Sequence, residues 1–88
     1  MNIIRNAIAG TMESSDLIVT VTPGSGITID IQSPVKRQFG DSIRRSVEEI
    51  AQDLSVTDAV ISIEDHGALD CTIRARVETA LLRASKEE

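Results

Sequence analysis

The sequence predicts an α+β fold: a small antiparallel or mixed sheet with two main helices packed on it, in the order β-β-β-α-β-α. Three observations carry this. Apolar and polar residues alternate over residues 17–22, 27–32 and 59–64, the period of a half-buried strand. Apolar residues recur every three or four positions over 35–54 and again near the C-terminus, the period of a helix face. Clusters of Gly, Pro, Ser and Asp separate these segments, as turns require.

The elements follow in order. Residues 7–13 read as a short first strand, and Ser14-Ser15-Asp16 as a polar turn. In residues 17–22, Leu17, Val19 and Val21 oppose Ile18, Thr20 and Thr22. After the turn cluster Pro23-Gly24-Ser25-Gly26, Ile27, Ile29 and Ile31 oppose Thr28, Asp30 and Gln32. These strands are expected to form an antiparallel meander. Ser33 is a fair helix cap and Pro34 fits a first helical position. Val35, Phe39, Ile43, Val47, Ile50 and Leu54 then mark one helical face. Gly40 costs a helix about 1 kcal/mol relative to Ala. A kink is expected there, with Asp41 capping a second segment. Ala59, Ile61 and Ile63 alternate with Val60, Ser62 and Glu64 in a further strand, and Asp65-His66-Gly67 forms a turn. The last helix is expected over about 68–85. Its main face carries Leu69, Ile73, Val77, Ala80, Leu81 and Ala84, and a thinner stripe carries Cys71, Ala75 and Leu82. That stripe is either further packing or a surface for larger subunits. Residues 1–88 fit a single domain, with 86–88 as a frayed tail.

Composition narrows the function. The 88 residues include one Phe and neither Trp nor Tyr, so the core must be Ile, Val, Leu and Ala. A base-stacking surface is excluded, since stacking needs aromatic rings. The net charge of −5 argues against nucleic acid, whose binding needs clustered Lys and Arg. The acidic excess lies in the strands and their turns. Residues 33–54 and 66–88 each hold four bases and four acids. Cys71 is the single cysteine, which excludes an internal disulfide and suits a reducing, cytoplasmic setting. With one thiol and one histidine no zinc-type ligand set is expected. No stretch approaches the roughly 20 apolar residues of a membrane span, and the first residues do not read as a signal peptide.

No self-contained active site is apparent. His66 stands in a turn, without a nucleophile elbow around Ser14 or Ser15. Cys71 sits beside Asp70, which does not favour a thiolate, and reads as a packing residue. Glu64-Asp65 reads as a solvated acid pair, and Arg74, Arg76 and Arg83 as surface partners for acids. Two serine contexts remain as modification sites. Gly40-Asp41-Ser42-Ile43 superficially resembles the Asp-Ser-Leu attachment site of ordinary acyl carrier proteins. Those are helical bundles, whereas strands precede this motif here, so Ser42 reads as a surface residue. The other is Gly10-Thr11-Met12-Glu13-Ser14-Ser15-Asp16, with serines at a hairpin tip between acids. Physically this is an ordinary turn composition.

Ala9-Gly10-Thr11-Met12-Glu13-Ser14-x-Asp16 resembles the N-terminal motif of the citrate lyase acyl carrier proteins, the gamma subunits of that enzyme. Gln38-Phe39-Gly40-Asp41-x-Ile43-Arg44 is similar to the family's middle helix. Gly67-Ala68-Leu69-Asp70-Cys71-x-x-Arg74-Ala75-Arg76-x-Glu78 is similar to its final helix. The three blocks are collinear and span nearly the whole chain.

The resemblance implies a non-catalytic carrier subunit. Its attachment serine is Ser14, with Ser15 as the alternative. Ser15 stands where the family commonly has glycine, and a serine there bears the cost of a positive φ that glycine avoids. The implied group is 2'-(5''-phosphoribosyl)-3'-dephospho-CoA, joined by a phosphodiester and attached by a dedicated transferase from a triphosphoribosyl precursor. The implied partners are the alpha subunit, which exchanges acetyl for citryl, and the beta subunit, which cleaves the citryl thioester to oxaloacetate. Glu13 and Asp16 would repel the phosphates of such an arm. The related carrier of malonate decarboxylase is the near alternative. An unmodified scaffold domain and a small hydrolase using Ser14 and His66 are the others.

Overall fold

The computed structural model describes residues 1–87. The elements are β1 (Ala7–Gly10), β2 (Leu17–Thr22), β3 (Ile27–Gln32), α1 (Lys36–Asp53), β4 (Ala59–Asp65) and α2 (Asp70–Ser85). The α+β class and the element order are as the sequence predicts. The expected fraying at Glu88 lies outside the described residues.

One face of the sheet is buried. Leu17, Val19 and Val21 of β2 and Ala59, Ile61 and Ile63 of β4 point to it, together with Ala9, Ile29 and Ile31. Against them α1 sets Ile43, Val47 and Ala51, and α2 sets Ile73, Val77, Ala80, Leu81 and Ala84. Period two in the strands and period 3.6 in the helices bring these aliphatic stripes together, and their burial drives the fold. Ile3 joins the core, a position the sequence pattern did not mark. Its segment is held where the Ile4 and Arg5 N–H groups donate to the Ala84 carbonyl at 2.9 and 3.2 Å.

The strand order is β1-β2-β4-β3, which corrects the expected meander. β1 and β2 pair antiparallel, but β2 and β3 do not pair. β4 lies between them, antiparallel to β2 and parallel to β3. Two strand spacings separate β2 from β3, about 10 Å. A four-residue link in extended form spans more than that. It crosses the start of β4 closely. A Cβ on Gly24 would stand 2.9 Å from Val60 Cγ2, and the Ala59 N–H donates to the Gly26 carbonyl at 2.9 Å. The parallel β3–β4 pair is possible because α1 forms the crossover.

Other boundaries shift. β1 ends at Gly10, not at residue 13. α1 starts at Lys36 after Val35, so Ser33 and Pro34 lie before the helix rather than capping it. The Ser33 hydroxyl instead donates to Asp65 Oδ2 at 2.7 Å and accepts from the Val35 N–H at 3.2 Å. α1 continues through Gly40 and Asp41, so neither breaks it. The buried Ile43, Ser46, Val47 and Ala51 tie it down from there on, and tertiary packing outweighs a single glycine's propensity. Its first turn overhangs the core, leaving Phe39 56% exposed. Leu69, expected on the buried face of the last helix, precedes α2 and is 70% exposed. Among the described residues no helix is long and apolar enough to cross a membrane.

Candidate functional site

The ladder puts Leu17 opposite Asp65 and Gln32 opposite Glu64. The β1–β2, β3–α1 and β4–α2 connections therefore lie at the same end of the sheet. The β1–β2 connection, residues 11–16, carries Ser14 and Ser15.

Its geometry begins at Gly10, whose φ is +102°. A Cβ there would stand 1.8 Å from the Leu17 carbonyl oxygen, so glycine is obligatory. The Thr11 N–H donates to that same oxygen at 3.1 Å. The Thr11 hydroxyl accepts from the Glu13 N–H at 3.2 Å and donates to Asp16 Oδ2 at 2.6 Å. The Asp16 N–H donates to the Glu13 carbonyl at 3.2 Å. Ser15 takes φ +64°, and its N–H donates to the His66 carbonyl at 2.7 Å. The His66 N–H in turn donates to the Asp16 carbonyl at 2.9 Å. The loop is thus stitched to the β4–α2 connection.

Asp16 anchors the loop to α2. Arg76 Nε donates to its Oδ1 at 3.1 Å and Arg76 Nη2 to its Oδ2 at 2.8 Å, a two-point ion pair. The Leu17 N–H adds a bond to Oδ1 at 2.8 Å. The Arg76 guanidinium, then the Thr11 hydroxyl and the Leu17 N–H, hold the Asp16 carboxyl well below the usual carboxylate range. This corrects the reading of Asp16 as a repelling surface acid. It is buried and paired, and Glu13 alone remains an exposed acid in the loop. Asp65 is also buried rather than solvated. It accepts from the Ser33 hydroxyl and, at 2.9 Å, from the Ala68 N–H.

Ser14 differs from Thr11, Glu13, Ser15 and Asp16, each of which is hydrogen-bonded. It is exposed, and among the described residues its hydroxyl and its backbone groups make no hydrogen bond. Nothing in the chain has to be broken for that oxygen to be esterified. A large ester-linked group standing out into solvent fits such a position, because no neighbouring side chain covers it. Ser15 is exposed too, but its N–H is committed to His66. His66 Nε2 lies 3.3 Å from Glu64 Oε2, so the ring's observed partner is an acid rather than a serine hydroxyl.

The remaining candidates sit elsewhere. Ser42 is exposed within α1. Cys71, expected to pack, is exposed, and so are Ala75 and Leu82. Arg74 bridges the two helices, bonding Asp70 at 2.8 Å and also Glu49. Arg83 donates to the Ile8 carbonyl at 2.8 Å rather than to an acid. Phe39 and Leu69 flank a shallow apolar groove of about 400 Å³ between the start of α1 and the approach to α2. Among the described residues no three His, Cys, Asp or Glu side chains are grouped to hold a metal. Arg76 partners an acid as the sequence predicts, but the identity of that acid, Asp16, 60 positions away, was not legible. The only signal was that both residues fell inside the motif blocks.

Comparison with known proteins places this α+β fold among acyl carrier proteins. The family model described as malonate decarboxylase delta subunit (MdcD) matches residues 4–84. A malonate decarboxylase hetero-tetramer from Pseudomonas, solved in complex with malonate, contains a chain of the same fold. Its TM-score is 0.71 at 22% identity, covering 92% of this chain and 84% of that one. At closer range, the citrate lyase acyl carrier protein of Enterobacter sp. (strain 638) is 52% identical over 89 residues, covering 100% of this chain and 92% of the relative. That of Treponema denticola is 45% identical over 87 residues, covering 99% and 100%. The chain belongs to the family of citrate lyase acyl carrier proteins.

Proposed function

We propose that the chain carries 2'-(5''-phosphoribosyl)-3'-dephospho-CoA on Ser14 and presents its thioester to the alpha and beta subunits of a citrate lyase. The observation that carries this reading is the exposed, unbonded Ser14 hydroxyl in a loop whose neighbours are tied down. In the loading step a new bond forms between Ser14 Oγ and the phosphorus nearest the ribose of the triphosphoribosyl precursor. The bond from that phosphorus to the next phosphate breaks, pyrophosphate leaves, and the hydroxyl proton passes to solvent or to a base of the transferase. When attached, the group supplies a terminal thiol that holds acetyl or citryl as a thioester.

The chain's own contribution is to hold the attachment point firm and accessible. Loop positions suit this, since an enzyme can reach them. Tethering raises the effective concentration of the thioester at two successive active sites. A malonate decarboxylase carrier role is the second reading, favoured by the family description and the Pseudomonas structure. Identities of 45–52% to citrate lyase carriers, against 22% to the malonate decarboxylase chain, favour citrate lyase.

The test is intact-mass analysis of the chain made with and without transferase and precursor, with fragment mapping. The adduct is expected on Ser14, absent in Ser14→Ala and retained in Ser15→Ala. An adduct on Ser15 in the wild type moves the site by one residue. No adduct on chain from active native complex overturns the carrier reading in favour of a scaffold.

A further inference from the structure

We propose that the Arg76–Asp16 ion pair is a positioning device, holding the 11–16 loop in the conformation from which the transferase modifies Ser14. This rests on the reading of Ser14 as the attachment serine. Arg76 touches neither that serine nor any reacting atom, so it acts through Asp16.

Beyond its backbone bonds to Leu17 and His66, the loop has no apolar packing to fix it. Thr11, Met12, Glu13, Ser14 and Ser15 are all exposed, so apolar burial contributes almost nothing to their order. Ser15 sits at φ +64°, a conformation that an L residue leaves unless its neighbours enforce it. The Asp16 carboxylate gathers the loop. One oxygen accepts from the Leu17 N–H and Arg76 Nε, the other from the Thr11 hydroxyl and Arg76 Nη2. Two of these four bonds come from Arg76. Its helix is rigidly seated, because Val77, Ala80 and Leu81 are fully buried. The guanidinium therefore transmits the position of the core to a loop outside it. Arg74, two positions earlier, is also ion-paired, but to Asp70 and Glu49, and so ties α2 to α1, away from the loop. It serves as the control.

A loop that visits the competent conformation only part of the time binds its enzyme with an affinity reduced by that fraction. Loss of the clamp should therefore raise the transferase KM for this carrier and leave kcat at saturation nearly unchanged. The experiment compares the wild type with R76A, R76K and R74A. Amide hydrogen exchange is followed at Thr11, Ser15 and Asp16, and transfer kinetics are followed by intact mass well below each variant's melting temperature. R76A is expected to exchange these amides and raise KM by roughly tenfold. R76K, which keeps the charge but loses the two-point geometry, should fall between. R74A should match the wild type. If R76A does not fold, Thr11→Val removes the hydroxyl bond to the same carboxylate and carries the same expectations. Exchange and KM in R76A equal to those of R74A would overturn the clamp while leaving Ser14 as the site. No adduct on the wild type would overturn the Ser14 reading and the clamp with it.

Discussion

Replacing Ser15 with glycine should stabilise the protein. Ser15 holds φ +64°, and an L residue in this left-handed region bears about 1–2 kcal/mol relative to the right-handed one. Glycine avoids that cost but adds conformational entropy to the unfolded chain, worth about 0.4–1 kcal/mol. The serine hydroxyl has no hydrogen bond among the described residues, and the N–H bond to His66 survives the change. The difference runs from about 0 to 1.6 kcal/mol, and its middle, about 0.5–1 kcal/mol, is the expected gain. For a domain of this size 1 kcal/mol moves the melting temperature by about 4–8 °C, so a rise of about 2–8 °C is expected. Thermal unfolding by circular dichroism, with urea melts for the free energy, measures it. Unchanged or lowered stability in Ser15→Gly would refute the reasoning, because the strain at this position would then not exceed the entropy that glycine adds to the unfolded chain. The same variant should still be loaded on Ser14.

Three further outcomes follow. Gly10→Ala forces a methyl to within 1.8 Å of the Leu17 carbonyl oxygen at φ +102°, and should cost about 3 kcal/mol or more in a urea melt. Asp16, Asp58 and Asp70 all have folded pKa values lowered by hydrogen bonds from Arg76, from the Gly26 N–H and from Ser46 respectively. Each therefore contributes stability that is fully present above the unfolded carboxylate pKa of about 4 and is lost as pH falls through its folded value. Urea midpoints should fall steadily below pH 4, and Asp16→Asn should flatten that fall. Finally, Arg83 donates to the Ile8 carbonyl on edge strand β1, and Arg44 donates to the Ile29 carbonyl on edge strand β3 at 3.1 Å. Each blocks part of an open edge, so the Arg44→Ala, Arg83→Ala double variant should self-associate more in sedimentation velocity than the wild type.

Much of the fold is legible in the chain itself. Leu17-x-Val19-x-Val21 and Ile29-x-Ile31 read as half-buried strands, and Ile43, Val47, Ile73, Val77 and Leu81 fall on helical faces, because side-chain periodicity is a local property of the backbone. The serine loop is equally legible as a turn of Ser and Asp. The need for a positive φ at the second serine follows from the glycine usual there. Family membership is legible too, from three collinear motif blocks.

Tertiary structure decided the rest. Nothing local says that β4 inserts between β2 and β3, because strand order depends on which apolar faces best share the helices, and that is a sum over the whole chain. Phe39 and Leu69 have the right spacing for burial, yet the helix layer does not reach over them. Asp16 and Asp65 look like surface acids in sequence. Each is buried because partners 60 and 32 positions away arrive to satisfy it. A carboxylate's environment is set by what surrounds it in space. The sequence by itself put two serines in a polar turn between acids; only the packing of α2 decided that an arginine would meet the aspartate at the end of that turn.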